Sequence, residues 1–200
     1  MNASCSLFSQ ILTLILRADF ERIVNETGAE YRSKGLSSRS QFVGMLFCQL
    51  GRAHSLREIE GGLKSCEGKL AHLGIDVPVR PSLSYANRHR PWQLVEKVFS
   101  RLFEIVAANA VGKKTFRFKH KLVSLDSTVI DLCLSLMALI AMLLLRDLQR
   151  SSRFGWSLAN LVALLRMNLF THRDLMAWPN EPFTTPPHQQ DYPQMILAFG

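Results

Sequence analysis

Apolar residues recur with helical spacing through the first 110 residues of the chain. The pattern is clearest in the segment 92–110, whose apolar positions follow the 3.6-residue period: Val95, Val98, Phe99, Leu102, Phe103, Ile105 and Val106. An earlier run beginning at Phe20 predicts a short helix that Asp19 caps and that ends near Gly28. The N-terminal part of the chain is therefore predicted to be a string of helices.

Two capping-box patterns predict a pair of helices in the first third of the chain. Ser38 and Gln41 open an apolar run that Gly51 ends, and Ser55 and Glu58 open the segment "SLREIEGGLKS" four residues later. A helix, a tight turn and a second short helix form the outline of a helix-turn-helix, a common DNA-binding motif. The outline is weak by itself because many helical bundles share it.

The segment "RPSLSYANRHRPW" (80–92) concentrates side chains that proteins use to contact DNA. Ser82 or Ser84 is predicted to cap a short helix here. Arginine and asparagine read guanine and adenine edges, whereas serine and tyrosine commonly hold phosphate. The candidate DNA contacts in this segment are Ser84, Tyr85, Asn87, Arg88 and Arg90. The alternative is a solvated loop that precedes the next helix.

The pattern changes in the middle of the chain. The segment "TFRFKHKLVSL" (115–125) alternates aromatic with basic residues and then becomes continuously apolar, which predicts the one convincing strand of the chain. Asp126 stands where that strand ends. Four basic residues around the start of the strand are further candidates for contact with DNA: Lys113, Lys114, Arg117 and Lys119.

Helical spacing returns in the C-terminal third. It predicts helices at 132–150 and 155–170, the second capped by Ser157, and a short helical segment at 172–178. Residues 179–200 hold five of the eight prolines and predict an extended, disordered tail. The apolar run at 132–145 is fourteen residues long, whereas a membrane span needs about 20. A buried helix is the better interpretation of this run, and no membrane is expected as a partner.

The charge of the chain favours a polyanionic partner. Its 24 Lys and Arg against 16 Asp and Glu give a net charge of +8 and a pI near 9.7. Between residues 76 and 125, ten basic residues face only three acidic ones. Nucleic acid is the first expectation for such a surface, and an anionic membrane is the second. The four cysteines have no metal-site or C-x-x-C spacing, which indicates buried or free thiols in a reducing cytoplasm.

Several segments together resemble one family. "SSRSQFVGMLFCQLGRAHSLREIEGGL", "KLAHLGI" and "RPSLSYANRHRPW" are similar to the N-terminal region of bacterial insertion-sequence DDE transposases, in the "insertion sequence four" family with its Tyr-Arg-Glu-Lys signature. "LVSLDSTVIDLCLSL" resembles the first catalytic strand of that family, and the segment from Ala138 to Trp178 resembles its C-terminal end.

The resemblance implies an N-terminal helical domain that binds terminal inverted repeats and an RNase H-like domain that cuts DNA. Three carboxylates in such a domain hold two Mg²⁺ ions that clamp the attacking and leaving oxygens of a phosphodiester. By resemblance, Asp126 is the first of these carboxylates and the first ligand of the metal site. The second Asp and the Tyr-x2-Arg-x3-Glu motif do not follow in the remaining 74 residues.

An internal deletion near Leu136 and Met137 explains why these motifs are missing. The chain then divides into four parts: a helical DNA-binding domain (1–111), the first strand of a truncated RNase H-like domain (112–136), the C-terminal helical segment (137–178) and the tail (179–200). The fold class expected is mainly α. Mg²⁺ is expected by family resemblance but not productively bound.

Three alternative functions are predicted from this sequence. The first is a cytoplasmic DNA-binding protein that derives from a transposase, binds inverted repeats, pairs with itself or with a full-length transposase, and lacks catalysis. The second is an active metal-dependent nuclease whose missing acids come from elsewhere. The third is a small basic helical protein associated with membranes.

Overall fold

The chain forms a helical assembly in the parts that the structure describes. A computed structural model describes residues 5–31, 33, 35–66, 73–108 and 129–181, with the backbone alone for 129–132. Its helices are α1 (Leu7–Thr13), α2 (Arg17–Thr27), α3 (Ser38–Gly51), α4 (Leu56–Lys64), α5 (Arg80–His89), α6 (Gln93–Ala108), α7 (Val129–Ser151) and α8 (Leu158–Asn168). These residues contain no strand, and the fold class is mainly α, as predicted.

Two of the predicted caps are confirmed, and a third cap lies one residue before its predicted position. Ser55 accepts the backbone N–H of Glu58 at 3.2 Å, and Ser157 accepts that of Asn160 at 3.1 Å. At α3, however, Ser37 is the capping residue and accepts the N–H of Ser40 at 3.0 Å. Ser38 is already helical, because Ser37 is the last residue with extended backbone.

Two other predicted caps are wrong. The first turn of α2 begins at Arg17, so Asp19 lies within the helix, where it pairs with Arg22 and with Arg101 of α6. The start of α5 lies at Arg80, with Pro81 in its first turn, so Ser82 and Ser84 are not capping residues. The segment 172–178 is not the predicted helix: residues 172–174 are irregular, and turns begin at Leu175.

The α3–turn–α4 pair is tightly packed. Gly51 is the last residue of α3, and the left-handed position after it falls on Arg52, with φ of 58°. A Cβ added at Gly62 of α4 would lie 2.8 Å from the ring of Phe47 on α3. Glycine is thus required at Gly62 for this close approach of the two helices.

The 23-residue helix α7 is central to the fold. It packs against α3, α5, α6 and α8. These contacts bury the apolar run of its sequence. The helix is continuous through Leu136 and Met137, and Met137 is only 1% exposed. Among the described helices, none combines the length and the hydropathy that a membrane span requires.

The two ends of the described chain meet. Leu7 donates its backbone N–H to Thr171 at 3.0 Å, and Phe8 donates to Leu169 at 2.8 Å. The Gln10 side chain accepts the Leu175 N–H at 2.8 Å. One continuous hydrophobic cluster runs from α1 to the C-terminal turns.

The predicted strand (115–125) and most of the predicted tail (182–200) lie outside the described residues. The described part of the segment 112–136 begins at Val129 and is helical. All four cysteines are free thiols. Burial raises the pKa of Cys48 and Cys133, which keeps these two thiols protonated.

Candidate nucleic-acid interface

Helix α5 carries the candidate contacts and has a clear buried face. Leu83 and Ala86 point into the core, and Arg90, just beyond the helix end, continues the same side. This spacing of three and four residues is that of one helix face. Tyr85 and Arg88 are exposed on the opposite side.

The start of α5 is fixed by α4. Val79 precedes the helix and has no side-chain acceptor for the first N–H groups. A carboxylate oxygen of Glu60 accepts the Arg80 backbone N–H at 2.9 Å instead. Because free N–H groups at a helix start attract negative charge, Glu60 acts as a cap supplied by the neighbouring helix.

A polar stripe with a half-buried serine between two exposed arginines runs along α5. It consists of Arg80, Ser84 and Arg88, spaced four residues apart and therefore on one face. Arg88 donates from Nη2 to the Ser84 hydroxyl at 2.8 Å. This bond extends the Arg88 side chain along the helix surface, and both arginines remain exposed.

Asn87 is half-buried and belongs to an internal network. Its Oδ1 accepts the Gln41 amide at 2.7 Å, and its Nδ2 lies 3.5 Å from the Met45 sulfur. Gln41 in turn accepts from Arg90 at 2.8 Å. Both polar ends of Asn87 are therefore engaged within the protein, and Asn87 aligns α5 on α3.

Arg90 is a structural residue in this arrangement. Its side chain is directed inward, is 8% exposed, and donates to the Ser37 carbonyl, the Leu36 carbonyl and the Ser33 hydroxyl. Burial lowers the pKa of Arg90, and the nearby Glu30 carboxylate opposes that shift. A guanidinium held in this way is not presented to a DNA surface, so we do not retain Arg90 among the DNA contacts.

A groove with aromatic walls lies beside α5. The rings of Tyr85 and His89 stack with centroids 3.9 Å apart and an angle of 18° between their planes. Tyr31, from the segment after α2, lines the same groove, which has a volume of about 440 Å³. We call this feature the aromatic groove; its other polar lining residues are Ser33, Ser82 and Arg90.

The turn and start of α4 border the opposite side of α5. His54 and Arg88 line a second, mostly apolar groove of about 270 Å³ between α3, α4, α5 and α7. Arg57 is exposed on α4. The Glu58 carboxylate accepts the His54 backbone N–H at 2.8 Å, and this bond is the main cause that lowers the pKa of Glu58.

Two basic residues of α6 are engaged with acids of α2. Lys97 lies 3.0 Å from the Glu26 carboxylate, and Arg101 lies 2.9 Å from that of Asp19. These pairs reduce the positive charge that α6 presents. The other basic candidates (Lys113, Lys114, Arg117 and Lys119) lie outside the described residues.

Asp126, the candidate first metal ligand, also lies outside the described residues. Among the residues that the structure does describe, no group of three or more His, Cys, Asp or Glu is arranged to hold a metal ion. Asp174, one of the acids that follow Asp126, accepts the backbone N–H groups of Met176 and Ala177 and so stabilises a turn.

Sequence reasoning missed three features of this surface. His89 and Tyr31 were not among the candidates, although the spacing of four residues between Tyr85 and His89 indicates that their rings meet on a helix. Glu60 gave no such signal, because its contact with Arg80 spans 20 residues of sequence.

Comparison with known proteins identifies one matching region. Residues 4–76 match the model of a family described as "Domain of unknown function (DUF4372)". The match includes α1 to α4 and ends before α5. No curated protein and no solved structure matches the chain.

Proposed function

We propose that this chain is a DNA-binding protein that derives from an insertion-sequence transposase, recognises the terminal inverted repeats of its element, and works in the cytoplasm. One observation carries the proposal. The helix-turn-helix outline of α3 and α4 is joined to a third helix, α5, whose polar stripe presents Arg80 and Arg88. The net charge of +8 and the sequence resemblance support a polyanionic partner.

Among the described residues, neither of the two acids next to this stripe forms an ion pair with its arginines; both accept hydrogen bonds at helix starts. Glu60 is held at the start of α5 by the Arg80 N–H, and Glu58 is held at the start of α4 by the His54 N–H and the Ser55 hydroxyl. Each carboxylate therefore faces a helix start. Arg57, Arg80 and Arg88 remain exposed for phosphate or base contacts.

Catalysis is not part of the proposal. A two-metal site needs several carboxylate ligands, and the sequence supplies Asp126 without the motifs that would complete it. Should Mg²⁺-dependent cleavage of inverted-repeat DNA occur and be abolished by Asp126→Ala, the active-nuclease alternative would replace this one.

A gel-shift series with inverted-repeat duplex and a shuffled duplex of equal length tests the proposal. We expect a preference for the inverted repeat and affinity that falls steeply with salt. Arg80→Ala and Arg88→Ala should each weaken binding, and loss of one phosphate contact should reduce the slope of log K against log salt by about 0.9.

Two control variants accompany this series. Arg146→Ala removes an exposed arginine of α7 about 18 Å along the helix from Leu134, which borders Arg88, and it should leave binding unchanged. Asp126→Ala should also bind like the unmodified chain. Equal affinity for the repeat and the shuffled duplex would refute sequence-specific recognition.

A further inference from the structure

The aromatic groove has the features of a site for a flat, π-stacking ligand. Tyr31 is 75% exposed and Tyr85 is 64% exposed, although large aromatic side chains are ordinarily buried to a greater extent. Both tyrosines line one groove between α5 and the segment after α2. Its volume of about 440 Å³ is within the range of small-molecule sites.

Tyr85 is held in position before any ligand binds. One face of its ring lies against His89, and the Nδ1 atom of His89 lies 2.8 Å from the Tyr85 carbonyl oxygen. Tyr85 remains 64% exposed in spite of this stack. Because the stacked pair is already ordered, a ligand that stacks on Tyr85 loses little additional conformational freedom.

The described residues that line the groove include no carboxylate. The one arginine among them, Arg90, is directed inward onto backbone carbonyls, so a ligand in the groove would be held by stacking rather than by charge. Glu30 directly precedes the groove residue Tyr31 in the sequence. Its carboxylate accepts the Ser38 backbone N–H at 2.6 Å. The hydroxyl groups of Ser33 and Ser82 add hydrogen-bonding partners at the groove wall.

We propose that the aromatic groove binds an unpaired DNA base next to the duplex that α4 and α5 contact. This inference rests on the proposed function of the same surface. The groove and the Arg80–Ser84–Arg88 stripe lie on neighbouring faces of α5. A DNA strand whose phosphates contact the stripe can therefore place a base against Tyr85. Stacking of bases on aromatic rings tolerates any base sequence, since every base has a π-face.

The test compares two DNA probes on the full chain by fluorescence anisotropy. One is blunt inverted-repeat duplex, and the other is the same duplex with a short single-stranded thymidine overhang. We expect tighter binding of the overhang probe. Tyr85→Ala should weaken the overhang complex about tenfold more than it weakens the blunt complex, as expected for the loss of one base–aromatic stack.

Two matched variants show whether the ring itself is responsible. Tyr85→Phe keeps the ring and should keep the gain from the overhang. Phe103→Ala removes an exposed ring of α6 outside the groove and should bind both probes like the unmodified chain. Circular dichroism of each variant checks that the helices are intact.

Photo-crosslinking gives a second readout that needs no substitution. 5-Iododeoxyuridine placed in the overhang should attach to peptides containing Tyr31 or Tyr85. No gain from the overhang, a gain that survives Tyr85→Ala, or adducts only at other peptides would overturn the inference.

The outcomes separate the two proposals. If blunt duplex binds through Arg80 and Arg88 but the overhang adds nothing, the base site is refuted and the proposed function stands. If the inverted repeat is not preferred over shuffled duplex, the proposed function fails; overhang binding that depends on Tyr85 would then support the base site alone.

Discussion

The guanidinium of Arg90 joins three parts of the chain: the loop before α3, the first turn of α3 and the end of α5. It donates to the Ser37 carbonyl at 3.1 Å and to Gln41 Oε1 at 2.8 Å, and it also contacts Leu36 and Ser33. Buried polar groups left without partners are costly. Arg90 therefore stabilises the position of α5, and through α5 the position of the exposed arginines.

Arg90→Met should lower the free energy of unfolding by about 2–3 kcal/mol, because charged hydrogen bonds are lost and carbonyl groups are left unpaired. Urea denaturation measures the change. Arg88→Met, on the exposed face of the same segment, is the matched control and should have little effect on stability. Arg90→Lys should not restore stability, since lysine lacks the planar fork of five donors. Equal midpoints for the Arg88 and Arg90 variants would contradict this role.

Arg88 is exposed and Arg90 is buried because of the rotation of α5 about its own axis. Once Leu83 is placed in the core, the helical period puts Arg90 on the inner side and Arg88 on the outer side. The sequence did not reveal which side of α5 faces the core, because the predicted start of the helix was wrong. Glu60, which fixes the true start, is distant in sequence, and local patterns do not report such contacts.

At the scale of elements, the contact between α3 and α4 depends on a pair of adjacent glycines with opposite surroundings. A Cβ at Gly62 would meet the Phe47 ring at 2.8–2.9 Å, whereas a Cβ at Gly61 would meet nothing within 4 Å. The Phe47 ring has little room to move, because it packs against the rings of Phe8 and Phe170. The two positions therefore form a natural comparison.

We expect Gly62→Ala to destabilise the fold by about 1–3 kcal/mol through overpacking. Gly61→Ala should stabilise it by about 0.5–1 kcal/mol, because alanine is the better helix former at an exposed position. Thermal unfolding of both variants and of the unmodified chain measures the difference. Changes of the same sign in both variants would refute the packing of α4 on Phe47.

The ion pairs between α2 and α6 predict how stability responds to pH. The Arg101 side chain is the main cause that lowers the pKa of Asp19, and Lys97 is the main cause that lowers that of Glu26. Carboxylates with a lowered pKa in the folded state add stability above their unfolded pKa, near 4, and lose it as the pH falls through the folded value.

The thermal midpoint of the unmodified chain should therefore fall more between pH 7 and pH 3 than that of the variant Asp19→Asn combined with Glu26→Gln. The difference at pH 7 should be small and should shrink with added salt, since the Lys97 and Arg101 side chains of both pairs are in contact with solvent. Arg146→Gln, outside these pairs, serves as the charge control. A pH dependence that is identical in both chains would show that these pairs contribute nothing.

Local patterns predicted most of the elements, and their errors have local causes. The caps at Ser55 and Ser157 and the end of α2 at Gly28 follow from the sequence, because a cap is a contact between residues three apart or closer. Asp19 was predicted to be a cap because the local sequence gives no indication of its ion pair with Arg101, which is 82 residues away. The site depends on such distant contacts, so its geometry could not be read from the pattern alone.

On the scale of the whole molecule, the C-terminal helices pack directly on the N-terminal ones. α7 lies against α3 and α6, and Arg166 of α8 donates to the Leu50 carbonyl at the end of α3 at 3.1 Å. Residues Leu136 and Met137, where a deletion was inferred, lie within one unbroken helix. The sequence predicted the helix from its apolar run, but the partners of that helix emerge only when all elements are assembled.

This packing predicts that the described helices unfold together, although the sequence suggested separate N-terminal and C-terminal parts. Buried residues of α1, α3, α7 and α8 belong to one cluster, and the backbone of Leu7 and Phe8 bonds to residues 169–171. A shared core favours a single cooperative transition. Tryptophan fluorescence can follow the two ends independently, because Trp92 lies just before α6, whereas Trp156 and Trp178 lie on either side of α8.

We therefore expect fluorescence and circular dichroism to give the same urea midpoint within each of two variants. Trp92→Phe reports on the C-terminal end, and Trp156→Phe combined with Trp178→Phe reports on Trp92. Each fluorescence midpoint is compared with the far-ultraviolet circular dichroism of the same variant, so that any stability change from the substitution cancels. Coincident curves within each variant support one folding unit. If Trp92 fluorescence changes at a different urea concentration from the helical signal, the chain unfolds in parts and the division near residue 137 is a true domain boundary.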